Sequence, residues 1–546
     1  MRHLYKILAL LIIGISLAFA LPSDKYFDIA KSLDIFATLF KEVNLHYVDE
    51  IDPKSMIRVG IDAMLESLDP YTNYIAEEEV ESFRSATTGQ YAGIGAMIGR
   101  IGNRVLVTHP YEDMPANKYG LKVGDEIIEV NGVNVKGKSP QEISTYLKGN
   151  AKTEVIVKVN RFGEANPVVI NIRREKISVK NVSYYGLIDA GIGYIKLDDF
   201  TPGAGKEVHE ALNKLKSAGA NSIILDLREN PGGMLQEAVN VVNVFIPKGK
   251  EVVSTKGKQT DWNKAYYTLN APADTQIPLA ILIGPVSASA SEIVAGALQD
   301  YDRAVLIGKT TFGKGLVQTT RPLTYNGQLK VTTAKYFIPS GRCIQSLDYK
   351  QRDVNGNATK QTDSLRVAFK TKNGRKVFDG SGIEPDLKTE DESLASITLA
   401  LLSQGLIFDF ATEYYYTNKE TEYKTFNFTD EHYNYFVNWV KNKNFSYKSA
   451  TELELEKIMS TAKDDKSYAD LTVTIDLFKE QVEKAKKEDF TRFKSQIISF
   501  LKPEIAFRYN LVKGQLQETF ANDIDIVQAN KVLNSSNELK LILTKK

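Results

Sequence analysis

The sequence predicts a multi-domain α/β protein with helical regions at both ends. Its 546 residues are enough for three or four domains, each with a core of its own. Short apolar runs alternate with helical patterns across residues 177–390, which predicts an α/β core. Residues 86–176 contain several short strands around a helical stretch, as in a small, mainly β domain. Residues 21–85 and 391–546 carry apolar positions at helical spacing and predict a helical N-terminal region and a helical C-terminal extension.

The N-terminus has the pattern of a signal peptide over residues 1–20. A basic start is followed by the apolar stretch Ile7 to Phe19, and Ala18-Phe19-Ala20 fits a cleavage site after Ala20. We therefore expect an exported, periplasmic protein. If the segment is not cleaved, it would anchor the protein in the inner membrane.

Composition excludes several classes of partner and chemistry. The formal net charge is +1 and 25% of the residues are charged, which argues against a nucleic-acid partner or a strongly charged substrate. Cys343 is the single cysteine, so an intrachain disulfide is impossible. The five histidines form no cluster with metal-ligand spacing, and we predict neither a metal nor a cofactor.

A serine-rich turn provides the first candidate for chemistry. The apolar run Leu279–Ile283 predicts a buried strand, and the segment Ser287–Glu292 then leads into a helix. Unpaired N–H groups and the helix dipole favour negative charge at such a helix start, which suits a nucleophile and half of an oxyanion hole. Alternating Ser and Ala are also typical of a simple helix cap. The residues alone do not choose among Ser287, Ser289 and Ser291.

A lysine lies in a glycine-rich turn, Phe312–Gln318, that follows the next apolar run. A serine hydroxyl needs a base to become a good nucleophile, and residues 210–431 contain no histidine. A lysine can serve when apolar surroundings lower its pKa. Lys314 has apolar neighbours in this turn, although a lone lysine is also commonly a solvated surface group.

The same turn resembles a phosphate-binding loop but fails in detail. Residues Gly308–Lys314 fit the first seven positions of Gly-x-x-x-x-Gly-Lys-Ser/Thr. The next residue is Gly315, where a hydroxyl would be needed for magnesium. Together with the predicted export, this excludes a nucleotide site.

A third segment places a glycine pair, Gly232 and Gly233, between the apolar run Ser222–Arg228 and a helical stretch. Glycines at such a junction permit unusual backbone angles and leave N–H groups free to face a ligand. An ordinary strand-to-helix turn is the alternative.

Five segments in this order resemble the carboxyl-terminal processing peptidases, serine proteases that use a Ser-Lys dyad and carry a PDZ domain. These segments are Asp226–Gly233, Ser287–Glu292, Phe312–Gln318, Lys335–Arg342 and Gly382–Asp386. The resemblance covers roughly residues 30 to 390. It implies a crotonase/Clp-protease-like α/β protease core with an inserted PDZ domain and helical N- and C-terminal regions.

The resemblance also implies roles for individual residues. Ser289 would be the nucleophile and Lys314 its base, with Gln318 holding the lysine amine by a hydrogen bond. The backbone N–H groups of Gly233 and Ala290 would form the oxyanion hole. The chain is thus expected to be a serine-type endopeptidase.

Residues 86–176 resemble a PDZ domain, chiefly through Gly-Asp-x-Ile-x-x-Val-Asn-Gly at Gly124–Gly132. Such domains bind the free carboxyl end of a peptide beside a sheet edge, with loop N–H groups holding the carboxylate. The expected carboxylate loop consists of Tyr91, Ala92, Gly93, Ile94, Gly95 and Ala96. Its glycine spacing does not fit a dinucleotide fingerprint.

These observations predict an exported protease that captures substrate C-termini with its PDZ domain and cleaves nearby. The expected partners are proteins or peptides with free C-termini, and a second copy of the chain bound through the helical terminal regions. Two alternatives remain open: a PDZ-based binding protein with a decayed core, and a Ser-Lys amidase or esterase acting on small molecules or peptidoglycan.

Overall fold

The structure, a computed structural model, describes residues 23–189, 191–354, 356–360, 363–390, 393–418 and 428–544. The predicted signal peptide lies outside the described residues. None of the helices described is long and apolar enough to cross a membrane. The described residues fall into two units, one made of those up to residue 75 with 320–331 and the other of those in 76–319 and from 332 onward.

The smaller unit begins with two helices, α1 (Ser23–His46) and α2 (Pro53–Glu66). Helix α2 begins where the sequence supplies a cap, because the Asp52 side chain accepts a hydrogen bond from the Lys54 N–H. Strand β1 (Asn73–Ile75) pairs antiparallel with residues 328–330 of a later strand.

In the larger unit, the region expected to be a PDZ domain contains a sheet of five consecutive neighbouring strands and a short sixth strand. The elements leading into and through it are α3 (Glu77–Thr88), β2 (Gln90–Gly93), β3 (Ala96–Ile101), β4 (Arg104–Pro110), α4 (Pro115–Lys118), β5 (Glu126–Val130), β6 (Val133–Asn134), α5 (Pro140–Leu147), β7 (Glu154–Asn160), β8 (Val168–Arg173) and β9 (Glu175–Ser178). The strand order is β3-β4-β5-β7-β8, with β6 beside β5, so β3 lies at the edge. Its core includes the buried side chains of Val107, Ile143 and Val155.

The next stretch alternates strands and helices, as the sequence predicts. Its elements are β10 (Val182–Asp189), β11 (Ile192–Leu197), α6 (Ala204–Ser217), β12 (Ser222–Asp226), α7 (Leu235–Phe245), β13 (Glu251–Gly257), β14 (Lys264–Tyr267), β15 (Leu279–Ile283), α8 (Ala290–Asp300), β16 (Val305–Gly308), β17 (Leu316–Pro322), β18 (Gln328–Phe337), β19 (Leu347–Arg352), β20 (Ala358–Lys360), β21 (Ala368–Lys370), β22 (Lys376–Phe378) and β23 (Leu387–Lys388).

The C-terminal extension is helical. It comprises α9 (Ser396–Ser403), α10 (Leu406–Thr417), α11 (Asp430–Lys441), α12 (Ala450–Asp464), α13 (Tyr468–Lys487), α14 (Asp489–Arg492), α15 (Lys494–Thr519), α16 (Ile524–Leu533) and α17 (Ser536–Thr544). Its aromatic residues form an internal core, in which the Phe410 ring centroid lies 5.0 Å from that of Phe436 and 5.4 Å from that of Trp439.

One end of this extension lies directly against the small β domain. The Arg104 guanidinium on β4 pairs with the Asp409 carboxylate on α10 at 2.7 Å. A Cβ built at Gly124 would come within 2.5 Å of Thr412 Cγ2, and one built at Gly405 within 2.1 Å of Ile101 Cγ2. Glycine is thus required on both sides of a very close contact.

The central sheet of the α/β core has the strand order β10-β11-β12-β15-β16-β23. Strand β10 is antiparallel to β11 and the remaining pairs are parallel. Helices α6, α7 and α8 contribute to the apolar cluster on one face, and Ile526 and Ala529 of α16 to the cluster on the other. Both faces are covered, which explains why these strands read as continuous apolar runs.

Candidate active site

Three neighbouring parallel strands carry the three predicted motif segments at their carboxyl ends. The glycine pair follows β12, the serine turn follows β15 and the lysine turn follows β16. Strand β15 lies between the other two. Because parallel strands end at the same edge of a sheet, segments far apart in sequence meet there.

The structure distinguishes the three serines of the turn. Ser287 and Ser291 are fully buried, and their hydroxyls donate to the carbonyl oxygens of Leu227 at 2.7 Å and Asn230 at 2.8 Å. Ser289 is partly exposed and stands at the N-cap of α8 with φ +54° and ψ −110°. A non-glycine residue in this conformation is strained, and such strain is concentrated at functional sites. Ser289 is therefore the accessible serine of the turn.

The glycine pair lies against this serine turn. A Cβ built at Gly232 would be 2.8 Å from Ser289 Cβ and 3.0 Å from the nitrogen of Ala290. Ala290 is the first residue of α8, where an N–H group has no partner within the helix. Gly233 is exposed at the same junction. The two predicted oxyanion donors thus belong to segments in direct contact.

Replacing Gly232 by alanine should impair activity by displacing the serine turn. The added Cβ would lie 2.6 Å from the Ala288 carbonyl oxygen, and φ at this position is +102°. We expect kcat/KM to fall by roughly a hundredfold, the scale for a misplaced catalytic group. Gly219→Ala is the matched control, because φ there is +98° but nothing lies within 4 Å. Equal rates of peptide cleavage in the two variants would contradict this expectation.

A buried carboxylate joins the serine turn to the lysine turn. The Glu292 side chain is fully buried and accepts hydrogen bonds from the N–H groups of Ser289 at 2.8 Å and Lys314 at 2.9 Å. It also accepts from the Gly313 N–H at 2.7 Å and the Thr311 hydroxyl at 2.5 Å. Burial raises the pKa of Glu292 from 4.5 to about 7, against the opposing effect of these donors. This single carboxylate thereby holds the backbones of the serine turn and the lysine turn at a fixed separation.

A phenol makes the complementary connection between the same two residues. The Tyr336 hydroxyl lies 2.7 Å from the Lys314 carbonyl oxygen and 3.2 Å from that of Ser289. Burial raises the pKa of Tyr336 well above its usual range, so the hydroxyl stays protonated and can donate. Glu292 thus holds N–H groups of the two turns, and Tyr336 holds their carbonyl groups.

Sequence reasoning assigned no role to either residue. The spacing Ser289-x-x-Glu292 is that of a capping box, and this pattern would have predicted the bond from Glu292 back to the Ser289 N–H. Tyr336 lies within one of the segments that carry the family resemblance, but nothing in the local sequence indicates its two carbonyl partners.

Gln318 lies on β17, and its amide donates to the Thr332 hydroxyl on β18 at 3.2 Å. This contact orients the side chain within the pair of strands that follows the lysine turn. The expected hydrogen bond between Gln318 and the Lys314 amine stays a prediction.

The expected carboxylate loop of the PDZ region is part strand and part turn. Tyr91, Ala92 and Gly93 belong to β2, which pairs antiparallel with β9. Ile94 is buried, and Gly95 has φ +71° in the turn before Ala96 begins the edge strand β3. In the described part of the chain, β3 pairs with β4 alone. The loop therefore leads directly into an edge strand of the sheet.

Three parts of the chain match models of known protein families. Residues 191–354 match the model of peptidase family S41, and residues 106–161 match a PDZ domain. Residues 397–533 match the probable PDZ-protease C-terminal helical domain. The three matches fall within the predicted core, PDZ domain and C-terminal extension.

Curated relatives agree with these matches. The carboxy-terminal-processing protease of Bartonella bacilliformis is 39% identical over 322 residues, which cover 58% of this chain and 73% of that protein. A probable CtpA-like serine protease of Staphylococcus aureus is 36% identical over 386 residues, or 70% of this chain and 75% of that protein.

The photosystem II D1 C-terminal processing protease is among the solved structures that are similar to this chain. It is 26% identical with a TM-score of 0.35, covering 66% of this chain and 93% of that one. The PDZ domain of a carboxy-terminal protease from Vibrio cholerae, solved with a peptide, is 27% identical over 16% of this chain and 99% of that one, with a TM-score of 0.16. From its family matches and curated relatives, the chain belongs to peptidase family S41 and is a serine-type peptidase that carries a PDZ domain.

Proposed function

We propose that the protein is an exported endopeptidase that cleaves proteins near their C-termini with a dyad of Ser289 and Lys314. The observation that carries this proposal is the convergence of three motif segments on one sheet edge, with Glu292 bonded to the backbone of both proposed catalytic residues. The name of one curated relative, a carboxy-terminal-processing protease, agrees with it.

In the proposed mechanism, the neutral Lys314 amine takes the proton of the Ser289 hydroxyl as Ser289 Oγ attacks the scissile carbonyl carbon. The negative oxygen that forms accepts hydrogen bonds from the N–H groups of Gly233 and Ala290. The Lys314 ammonium then protonates the departing amine, which leaves an acyl-enzyme on Ser289. Water, deprotonated by Lys314, hydrolyses this ester and restores the free serine.

Cleavage of an unfolded protein substrate by residues 21–546 and by its Ser289→Ala form tests this mechanism. Serine-dependent cleavage supports the endopeptidase. Hydrolysis of amide-capped small molecules without protein cleavage would favour the amidase. Peptide binding without any hydrolysis would favour the binding protein with a decayed core.

We further propose that the PDZ domain captures the free C-terminus of the substrate. The bound peptide would add to the open edge of β3, with its carboxylate at the turn around Ile94 and Gly95. The buried Ile94 and the positive φ of Gly95 give this turn a defined conformation before any peptide binds.

A substrate peptide with an amidated C-terminus should be cleaved with a KM roughly tenfold or more above that of the free acid, because it lacks a charged hydrogen-bond acceptor. Gly95→Ala should raise KM for the free acid in the same way, since its Cβ would lie 2.5 Å from Met114 Cβ. Gly102→Ala, in the next turn with nothing within 4 Å, is the control. Equal KM values for acid and amide would rule out carboxylate capture.

We also propose export and a homodimer formed through the terminal helices. The signal-peptide pattern supports export, and cell fractionation with an antibody to the protein tests it. For the dimer, Ile29, Leu33 and Phe36 lie at helical spacing on α1 with 49%, 64% and 51% of their surfaces exposed. Such an apolar face is typical of a helix that binds a partner.

Light scattering during gel filtration should give a mass of about two chains for the protein and about one for Leu33→Glu, because a charge on the apolar face opposes burial. Lys31→Glu, a charge change on the same exposed helix, should leave the mass unchanged. A monomeric parent protein would refute the homodimer.

A further inference from the structure

An ion-pair cluster ties the C-terminal helices to the β12 end of the sheet. The Arg228 guanidinium donates from Nη1 to both carboxylate oxygens of Asp523, at 2.9 and 2.7 Å, and to Asp525 at 2.9 Å. Its Nη2 donates to Asp226 at 2.6 Å. Asp523 is also the N-cap of α16, where its side chain accepts from the N–H groups of Asp525 and Ile526. Residues almost 300 positions apart in sequence thus share one guanidinium.

This cluster is largely shielded from water. The side chains of Asp226, Asp525 and Asp523 are 2%, 9% and 10% exposed, and that of Arg228 is 22% exposed. Burial alone would raise the pKa of Asp226, but the Arg228 charge lowers it below its usual value. Charged hydrogen bonds in such surroundings are strong and strict in geometry. Asp226 of β12 and the two aspartates at the start of α16 therefore hold the Arg228 guanidinium in one orientation.

The segment that follows Arg228 leads into the proposed catalytic machinery. The Leu227 carbonyl accepts the Ser287 hydroxyl, and the Asn230 carbonyl accepts the Ser291 hydroxyl and the Ala288 N–H. Asn230 in turn accepts the Gly232 N–H at 2.9 Å with its side chain. The position of Arg228 is therefore linked through short contacts to Gly232 and to both buried serines that flank Ser289.

We propose that Asp523 and Asp525 are positioning residues of the peptidase site. By fixing Arg228, they fix the segment 227–233, which carries the Gly233 oxyanion donor and packs on the serine turn. The start of α16 in the helical extension thus supports, through Arg228, the segment that carries the proposed oxyanion donor. This inference rests on the proposed roles of Ser289 and Gly233.

The test uses the full chain with Asp523→Asn and Asp525→Asn combined. Asparagine remains a good helix cap, so the substitution removes charge without removing the cap. We expect kcat to fall roughly ten- to a hundredfold with little change in KM, as for a displaced catalytic group. Hydrogen exchange of the amides in residues 229–233 should be about tenfold faster, while the amides of β15 keep their protection.

Ile526→Val is the matched control. Ile526 is buried on the same helix and packs against the same sheet face, but its side chain is not part of the ion-pair cluster. This variant loosens the docking of α16 through packing alone and should leave kcat and the exchange of residues 229–233 unchanged. A double asparagine variant with wild-type kcat or wild-type exchange would overturn the proposal, as would an equal loss in Ile526→Val. If the parent protein shows no Ser289-dependent cleavage, the proposed function fails, and the exchange measurement still decides whether the two aspartates fix the segment 227–233.

Discussion

Lys314→Arg should abolish proteolysis in a protein that remains folded. Guanidinium does not lose its proton at working pH, so arginine cannot accept the proton of the Ser289 hydroxyl. The backbone contacts of residue 314, to Glu292 and Tyr336, do not depend on its side chain, and the turn should keep its shape. We expect kcat/KM for an unfolded protein substrate to fall at least about a thousandfold.

Lys309→Arg, five residues earlier and just after β16, is the control that makes the same change outside the proposed dyad. It should cleave at the wild-type rate. Circular dichroism and thermal unfolding would establish that Lys314→Arg is folded. Cleavage by this variant within tenfold of the wild-type rate would exclude Lys314 as the base.

Glu292→Gln should reduce kcat by roughly a hundredfold, because four donors surround this carboxylate and an amide would place its own N–H₂ against some of them. The serine and lysine turns would then lose their common anchor. Glu237→Gln is the control: Glu237 accepts the Gly205 N–H elsewhere in the core and should be dispensable for cleavage.

The same variant tests the titration of Glu292. Its folded-state pKa of about 7 lies above its ordinary 4.5, so between these pH values the folded protein binds more protons than the unfolded chain. The free energy of unfolding of the wild type, relative to Glu292→Gln, should therefore fall by about 3 kcal/mol as pH rises from 4.5 to above 7. Denaturant unfolding at a series of pH values measures this difference. A difference that does not vary with pH would mean that burial does not raise the pKa of Glu292.

The sequence was sufficient to predict the fold class, and the family resemblance linked the three motif segments to one site. Apolar runs such as Leu279–Ile283 predict buried strands, because strands covered on both faces lack alternation. Their order in the sheet does not follow from the runs, and it is the central place of β15 that puts the serine turn between the other two segments.

Side-chain partners that come from distant elements were beyond sequence reasoning. Tyr336 reaches two carbonyls from β18, and Asp523 reaches Arg228 from a helix almost 300 residues later. Such pairs depend on how elements pack, which local propensity and periodicity do not specify. The choice among Ser287, Ser289 and Ser291 likewise needed burial and hydrogen bonds, since all three occur in the same local pattern.

The close fit between the small β domain and α10 has a consequence for chimaeras in which domains are exchanged with those of a relative. With Ile101 facing Gly405 and Thr412 facing Gly124, neither partner tolerates an unrelated replacement. A PDZ domain taken from a relative would not fit against α10 of this chain, unless α10 of the same relative is transferred with it. A chimaera that takes both the PDZ domain and α10 from a relative should therefore fold where one that takes only the PDZ domain does not.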